Sequence, residues 1–153
     1  MQKFKFDRGK LIMRDIIIYE STREEADLVN NNLVDYNFTK VPPKRKPYFV
    51  SINRVIKGLS GEVVAGINSI IYGWDYLHIE ILWVKEEFRS EGYGSILLKE
   101  IEKVAKDKGC KLVTLETFDF QAKDFYLKQG YEIFGILDNC PFEHRTYYMK
   151  KNI

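Results

Sequence analysis

The sequence predicts a mixed α/β fold, a mostly antiparallel sheet with at least one parallel crossover and flanking helices, in a single domain over residues 1–153. Three observations carry this. Runs of β-branched and aromatic residues recur through the first half, punctuated by Gly and Pro. From Tyr93 the apolar period lengthens from that of a strand to that of a helix. The remainder then alternates strand, helix, strand, helix, strand, strand, an order that requires a crossover between parallel neighbours.

Taken in order, Asp15 to Glu20 is β-branched and reads as a strand. Ser21 or Thr22 caps a helix whose first turn carries Glu24 and Glu25, where acids meet the positive end of the dipole. Leu28, Leu33 and Tyr36 continue it across a polar interruption at Asn30-Asn31-Asn32. Lys40 to Pro47 is a loop with three prolines and four basic residues. Tyr48 to Val55 is a second strand, Val63 to Ile71 a third, and Gly73-Trp74-Asp75 a turn. Leu77 to Val84 is a fourth strand, apolar enough to predict burial on both faces. Ile96, Leu97, Ile101, Val104 and Ala105 mark one face of the next helix, which Gly109 ends. Leu112 to Leu115 is a short buried strand. Ala122, Phe125, Tyr126 and Gln129 share a face of a second helix closed by Gly130, and Tyr131 to Phe134 and Thr146 to Met149 are the last strands.

Composition excludes several classes. Hydrophobic residues at 45% and charged residues at 30% are the mix of a globular chain, not a disordered one. A net charge of +2 with interspersed signs gives no support to nucleic-acid binding. Leu11-Ile12-Met13 and Ile16-Ile17-Ile18 are too short for a signal core, and no segment approaches the ~20 apolar residues of a membrane span. Cys110 and Cys140 form no CxxC pair and suggest neither a disulfide framework nor a metal site. Both read as packed thiols in a reducing, cytoplasmic compartment.

The most informative stretch joins the fourth strand to the helix: Leu82-Trp83-Val84, then Arg89-Ser90-Glu91-Gly92-Tyr93-Gly94-Ser95. Free N–H groups at a helix start converge on one point, and the dipole favours an anion there. Glycines allow close approach of the backbone, and Arg89 adds a fixed charge suited to phosphate. The stretch is no Walker A loop, since no Gly-Lys-Ser/Thr follows, and no dinucleotide fingerprint, since Leu97 stands at the third glycine position. On this footing alone the reading is a diphosphate-type anion site, or a helix that opens on glycines for packing.

The spacing Arg89-x-x-Gly92-x-Gly94 after a strand ending in Val84 resembles the acyl-CoA pyrophosphate motif of the GNAT superfamily of N-acetyltransferases. Ala122-x-x-Phe125-Tyr126-x-x-x-Gly130-Tyr131 resembles that superfamily's helix and strand near the thioester, and the tail from Asp138 to Lys150 resembles its histone-acetyltransferase-like bacterial branch. One departure is Asp119, where an asparagine often stands seven residues before the helix tyrosine.

The resemblance implies acetyl-CoA as cosubstrate with no metal, and acetyl transfer by direct attack of a primary amine in a ternary complex. It implies that the fourth strand parts from its neighbour, that backbone groups of Leu82, Trp83 and Val84 hold the pantetheine arm, and that amides from Arg89 to Ser95 hold the pyrophosphate. Tyr126 matches the usual acid toward the leaving thiolate. A strict two-residue period places His78, Glu80 and Leu82 on one face, so Glu80 and His78 are the candidate bases. Lys40 to Lys46 could attract an acidic acceptor or CoA phosphates, or be a solvated loop, and His144 could line the acceptor mouth or sit in a surface turn. The implied partners are a small-molecule or peptide amine and a second copy in a homodimer, with neither nucleic acid nor membrane. Two rivals stay open: a non-catalytic acyl-CoA-binding sensor of the same fold, and a nucleotide-binding enzyme of another class.

Overall fold

A computed structural model describes residues 18–153, which form two compact units, one ending at Pro42 and the other spanning Pro43–Ile153. The expected strand at Asp15 to Glu20 lies outside the described residues for its first three positions, and Ile18 to Glu20 has no regular structure.

In the first unit, α1 (Arg23–Lys40) starts at a capping box. The Glu25 N–H donates to Thr22 Oγ1 at 3.2 Å, and the Thr22 N–H donates to Glu25 Oε2 at 2.7 Å. Two of the helix's orphan donors are thereby satisfied. The three asparagines do not break it.

The second unit holds a seven-stranded sheet: β1 (Phe49–Ser51), β2 (Arg54–Lys57), β3 (Val63–Tyr72), β4 (Tyr76–Val84), β5 (Leu112–Phe118), β6 (Glu132–Asp138) and β7 (Arg145–Asn152). Its order is β1-β3-β4-β5-β7-β6, with β2 also on β3. Every pairing is antiparallel except β4 with β5, joined through α2 (Tyr93–Asp107) in the anticipated crossover. A short helix, α3 (Lys123–Lys128), links β5 to β6.

The single strand expected over Tyr48 to Val55 is two, β1 and β2, along one edge of β3. The interruption is local. Asn53 Oδ1 accepts the Ser69 N–H at 3.1 Å, and the buried Ser69 hydroxyl donates to the Ile52 carbonyl, so side chains supplement the single backbone bond from the Ile52 N–H to the Ser69 carbonyl there.

The core lies between α2 and one face of the sheet. Leu97, Leu98, Ile101 and Ala105 of α2 are buried against Ala65, Ile67, Leu77, Val113 and Leu115. Each buried Leu or Ile stabilises by about 1.5–3 kcal/mol. Ile96, expected on this face, is exposed, and Leu98 takes its place. Gly109 does end α2, at φ +85°. Of the cysteines, Cys110 is the packed thiol expected, its pKa raised chiefly by burial, whereas Cys140 is exposed.

The basic loop serves the fold. Arg45 grips Asp75, Lys44 Nζ stands 3.4 Å from the same carboxylate, and Arg45 also donates to the Lys108 carbonyl. Partial burial works to raise the Asp75 carboxyl, but the hydrogen bond and charge of Arg45, with Lys44, outweigh it and hold it below its ordinary value. Among the described residues, no helix is long and apolar enough to cross a membrane.

Candidate active site

The site begins with a break in a ladder. β4 and β5 pair only from Tyr76↔Leu112 to Ile79↔Leu115, yet β4 runs on to Val84 and β5 to Phe118. Past that rung the strands diverge, and the backbone edge of β4 facing β5 has no strand partner. Its other edge stays paired with β3 through Val84.

The break coincides with a bulge. Ile79 pairs with Ser69 and Ile81 with Asn68, so Glu80 is an extra residue in β4. The bulge resets which side chains face inward. Leu77 and Ile79 are buried before it, and Leu82 and Val84 pack on the core after it. Ile81 and Trp83 are thrown outward, 55% and 44% exposed, so the expectation of burial on both faces fails for this half of the strand. The expectation that His78, Glu80 and Leu82 share a face fails for the same reason: a strict period of two does not survive an inserted residue.

A cleft of about 730 Å³ opens between the diverging strands and the start of α2. It brings together most of the sequence-derived site: Glu80, Leu82, Trp83 and Val84 of β4, then Arg89, Ser90, Gly92, Tyr93, Gly94 and Ser95, and Tyr126 of α3. Glu91 and His78 are not on its wall. His78 belongs to the paired half of β4, where Nδ1 lies 3.0 Å from Thr114 Oγ1 on β5. Sequence reading missed Glu116 and Thr117 of β5 and the turn residues Phe120 and Gln121, which form the opposite wall. The only signal for Glu116 was its polar place in an alternating strand that outruns Leu115.

The two glycines differ. Gly92 caps α2 with φ +86°, left-handed backbone that costs an L-residue about 1–2 kcal/mol. Ser90, two residues earlier, is also left-handed at φ +66°. At Gly94 an added Cβ would lie 3.4 Å from Phe125 Cζ and 3.8 Å from Val84 Cγ2, ordinary contact distances, so the α3 ring rests beside the first turn of α2. Backbone hydrogen bonding within α2 begins at Ile96 N–H to the Gly92 carbonyl, leaving the N–H groups of Tyr93, Gly94 and Ser95 without an intrahelical acceptor. Arg89 Nε donates to the Val84 carbonyl at 3.2 Å, which holds its guanidinium on the cleft wall.

α3 is placed from both ends. The Ala122 N–H donates to Thr117 Oγ1 at 3.3 Å, the Phe118 N–H to Gln121 Oε1 at 3.0 Å, and Gly130 turns the chain at φ +84°. Tyr126 is thereby 95% buried, edge-on to Phe125 and Tyr131 at ring separations of 5.1 and 5.6 Å. Burial alone pushes its pKa up to about 12, so the phenol is neutral and a hydrogen-bond donor at neutral pH.

The candidate His144, and Asp119, where the sequence departs from the family's pattern, lie off the cleft. His144 Nδ1 is 3.0 Å from Asp119 Oδ1, and Asp119 Oδ2 accepts the Arg145 N–H at 3.3 Å. Both border a second open hollow of about 450 Å³, with Asp138.

A sheet that forks beside a helix start, with an acid and a buried phenol lining one cleft, is the arrangement that the resemblance to N-acetyltransferases anticipates. The chain belongs to the GNAT acetyltransferase family, whose model matches residues 17–131. It is 35% identical over 85 residues to blasticidin-S acetyltransferase of Streptomyces morookaense, covering 55% of this chain and 62% of that protein. To thialysine N-epsilon-acetyltransferase of Sus scrofa it is 38% identical over 137 residues, 81% of this chain and 78% of the other. The crystal structure of an acetyltransferase from Bacillus cereus ATCC 14579 superposes with a TM-score of 0.84 at 36% identity, over 90% of this chain and 98% of that one.

Proposed function

We propose that this protein transfers an acetyl group from acetyl-CoA to a primary amine, by direct attack while both substrates are bound. The observation that carries the reading is the parting of β4 from β5 after Ile79 and Leu115, which sets Glu80, the α2 start and Tyr126 around one cleft. Acetyl-CoA suits the residues present. The free edge of Leu82 to Val84 offers backbone groups to an extended, amide-bearing arm, and the unbonded N–H groups of Tyr93 to Ser95 with Arg89 suit a diphosphate.

When bound, acetyl-CoA supplies a thioester carbonyl open to attack; this chain's residues orient, deprotonate and stabilise. Glu80, raised out of the strand period by its bulge, takes the proton of the incoming ammonium directly or through water. An N–H of the free β4 edge steadies the oxygen that gains charge as the new C–N bond forms and the C–S bond breaks. Tyr126 donates its hydroxyl proton in a hydrogen bond to the departing sulfur. At a pKa of about 12 against about 8.5 for a thiol, full transfer is uphill, so hydrogen-bond donation is its principal contribution. His78, tied to Thr114 in the paired half, is the weaker candidate base. The names of the relatives support an amine acceptor, since blasticidin-S and thialysine acetyltransferases are both among them.

The test is thiol release from acetyl-CoA with a panel of amines, alongside thermal melts. Turnover with at least one amine and a raised Tm with acetyl-CoA are expected. A raised Tm with no turnover on any amine would make the protein an acyl-CoA sensor. Stabilisation by ATP or NAD but not by acetyl-CoA would overturn the reading.

A further inference from the structure

The two long helices begin differently. Thr22 and Glu25 close the start of α1 with reciprocal side-chain bonds, whereas α2 opens on Gly92 with no side-chain cap. Its first three residues, Tyr93, Gly94 and Ser95, line the cleft, and Ser95 adds a hydroxyl to their row of N–H donors. That hydroxyl is engaged from α3. Gln129 Nε2 donates to Ser95 Oγ at 3.2 Å, in a pair of half-buried side chains. Gln129 caps α3 three residues after Tyr126, and its own N–H donates to the Phe125 and Tyr126 carbonyls at 3.1 and 3.0 Å. Among the described residues, no other α3 side chain bonds to the first turn of α2, and no acceptor takes the Ser95 proton.

A hydroxyl has one proton and two lone pairs. The amide nitrogen of Gln129 fills one lone pair, so the Ser95 proton points elsewhere. Without that partner the hydroxyl can turn back to the Gly92 carbonyl three residues earlier, a local bond of the kind serine forms with its own chain. We infer that Gln129 is a positioning residue for the cofactor: it aims the Ser95 hydroxyl, as a donor, at the diphosphate of the bound thioester. The inference rests on the acetyl-CoA reading and adds to it a residue that is not on the cleft wall. Accepting one hydrogen bond also makes the hydroxyl a stronger donor in the next. One short helix then serves both ends of the cofactor, with Tyr126 at the sulfur and Gln129, through Ser95, at the phosphates.

The experiment is a double-mutant cycle read by calorimetry with CoA: wild type, Gln129→Met, Ser95→Ala and the two combined. Met keeps the reach of the side chain and removes its donor. Gln129→Met is expected to raise the Kd for CoA about threefold to tenfold, one neutral hydrogen bond's worth, and Ser95→Ala to raise it about tenfold or more. On the Ser95→Ala background, Gln129→Met is expected to add less than about twofold, since its partner is already gone. Steady-state assays are expected to show KM for acetyl-CoA raised by Gln129→Met with kcat little changed, the pattern of lost ground-state binding. A Kd left unchanged or lowered by Gln129→Met overturns the inference, as does a loss that persists in full on the Ser95→Ala background. So does a fall in kcat with Kd kept, which would make Gln129 a prop for α3 alone. The expected cycle in a protein that turns over no amine sustains the role of Gln129 and sinks the transferase reading. No binding of CoA by the wild type overturns both.

Discussion

β4 is one strand with two regimes. From Tyr76 to Ile79 it is laddered on both edges, Leu77 and Ile79 are buried, and His78 is held by Thr114. From Glu80 to Val84 it is laddered on β3 alone, and Ile81 and Trp83 are exposed. Composition barely changes across the boundary. What changes is one inserted residue and one lost neighbour, and that suffices to turn a structural strand into the wall of a cleft. Stability is thus concentrated below the fork and proposed chemistry above it.

That division can be broken or sharpened by substitution. The largest effect belongs to Glu80→Gln, which is expected to lower kcat on the order of a hundredfold with acetyl-CoA binding retained, since general-base catalysis is worth about 10²–10⁴; kcat unchanged in steady-state assays would remove Glu80 from the proposed role. Gly92→Glu places a charge and a side chain on left-handed backbone where an anion is proposed to sit. Acetyl-CoA at ~100 times its dissociation constant stabilises by about 2.7 kcal/mol, and this variant is expected to lose that gain in thermal melts.

Below the fork, Asp75→Asn is expected to cost about 1.5–3 kcal/mol in urea unfolding at pH 7. Folding holds the Asp75 carboxyl below its unfolded value, so its contribution is present above about pH 4 and is lost as pH falls through the lowered value. The gap between variant and wild type therefore narrows in acid. Tyr126→Phe is expected to reduce kcat about tenfold with KM for acetyl-CoA little changed, one hydrogen bond's worth. Because burial raises the Tyr126 pKa to about 12, its ionisation takes nothing from the rate below pH 10. The same shift means that stability declines as pH climbs from about 10 toward 12. The smallest effect is at His78→Gln, less than about threefold in kcat/KM, and a larger loss would move the chemistry below the fork.

Much of this was legible in the residues. The glycines, Arg89 and the Phe125-Tyr126 pair are local signals, and they converge in the structure because each sits at an element's end. The split of the second strand was not, because it depends on Asn53 and Ser69 meeting across the sheet. Nor was the bulge at Glu80: Leu77 to Val84 reads as an unbroken apolar run, and only its register against β3 shows the extra residue. Glu116 was hidden by a similar distance effect, since nothing near it in sequence says where β4 ceases to pair.

Arg89 reaches back to the carbonyl of Val84, the final residue of the free half of β4. The guanidinium therefore rides on the same prong that would gape or tighten around a thioester arm. Gauge and grip are geared together: a longer acyl chain that levers the prong aside would also drag the cation away from the phosphate proposed to lie beside it, so tolerance for bulky acyl groups and affinity for CoA should trade against each other along a single series of thioesters.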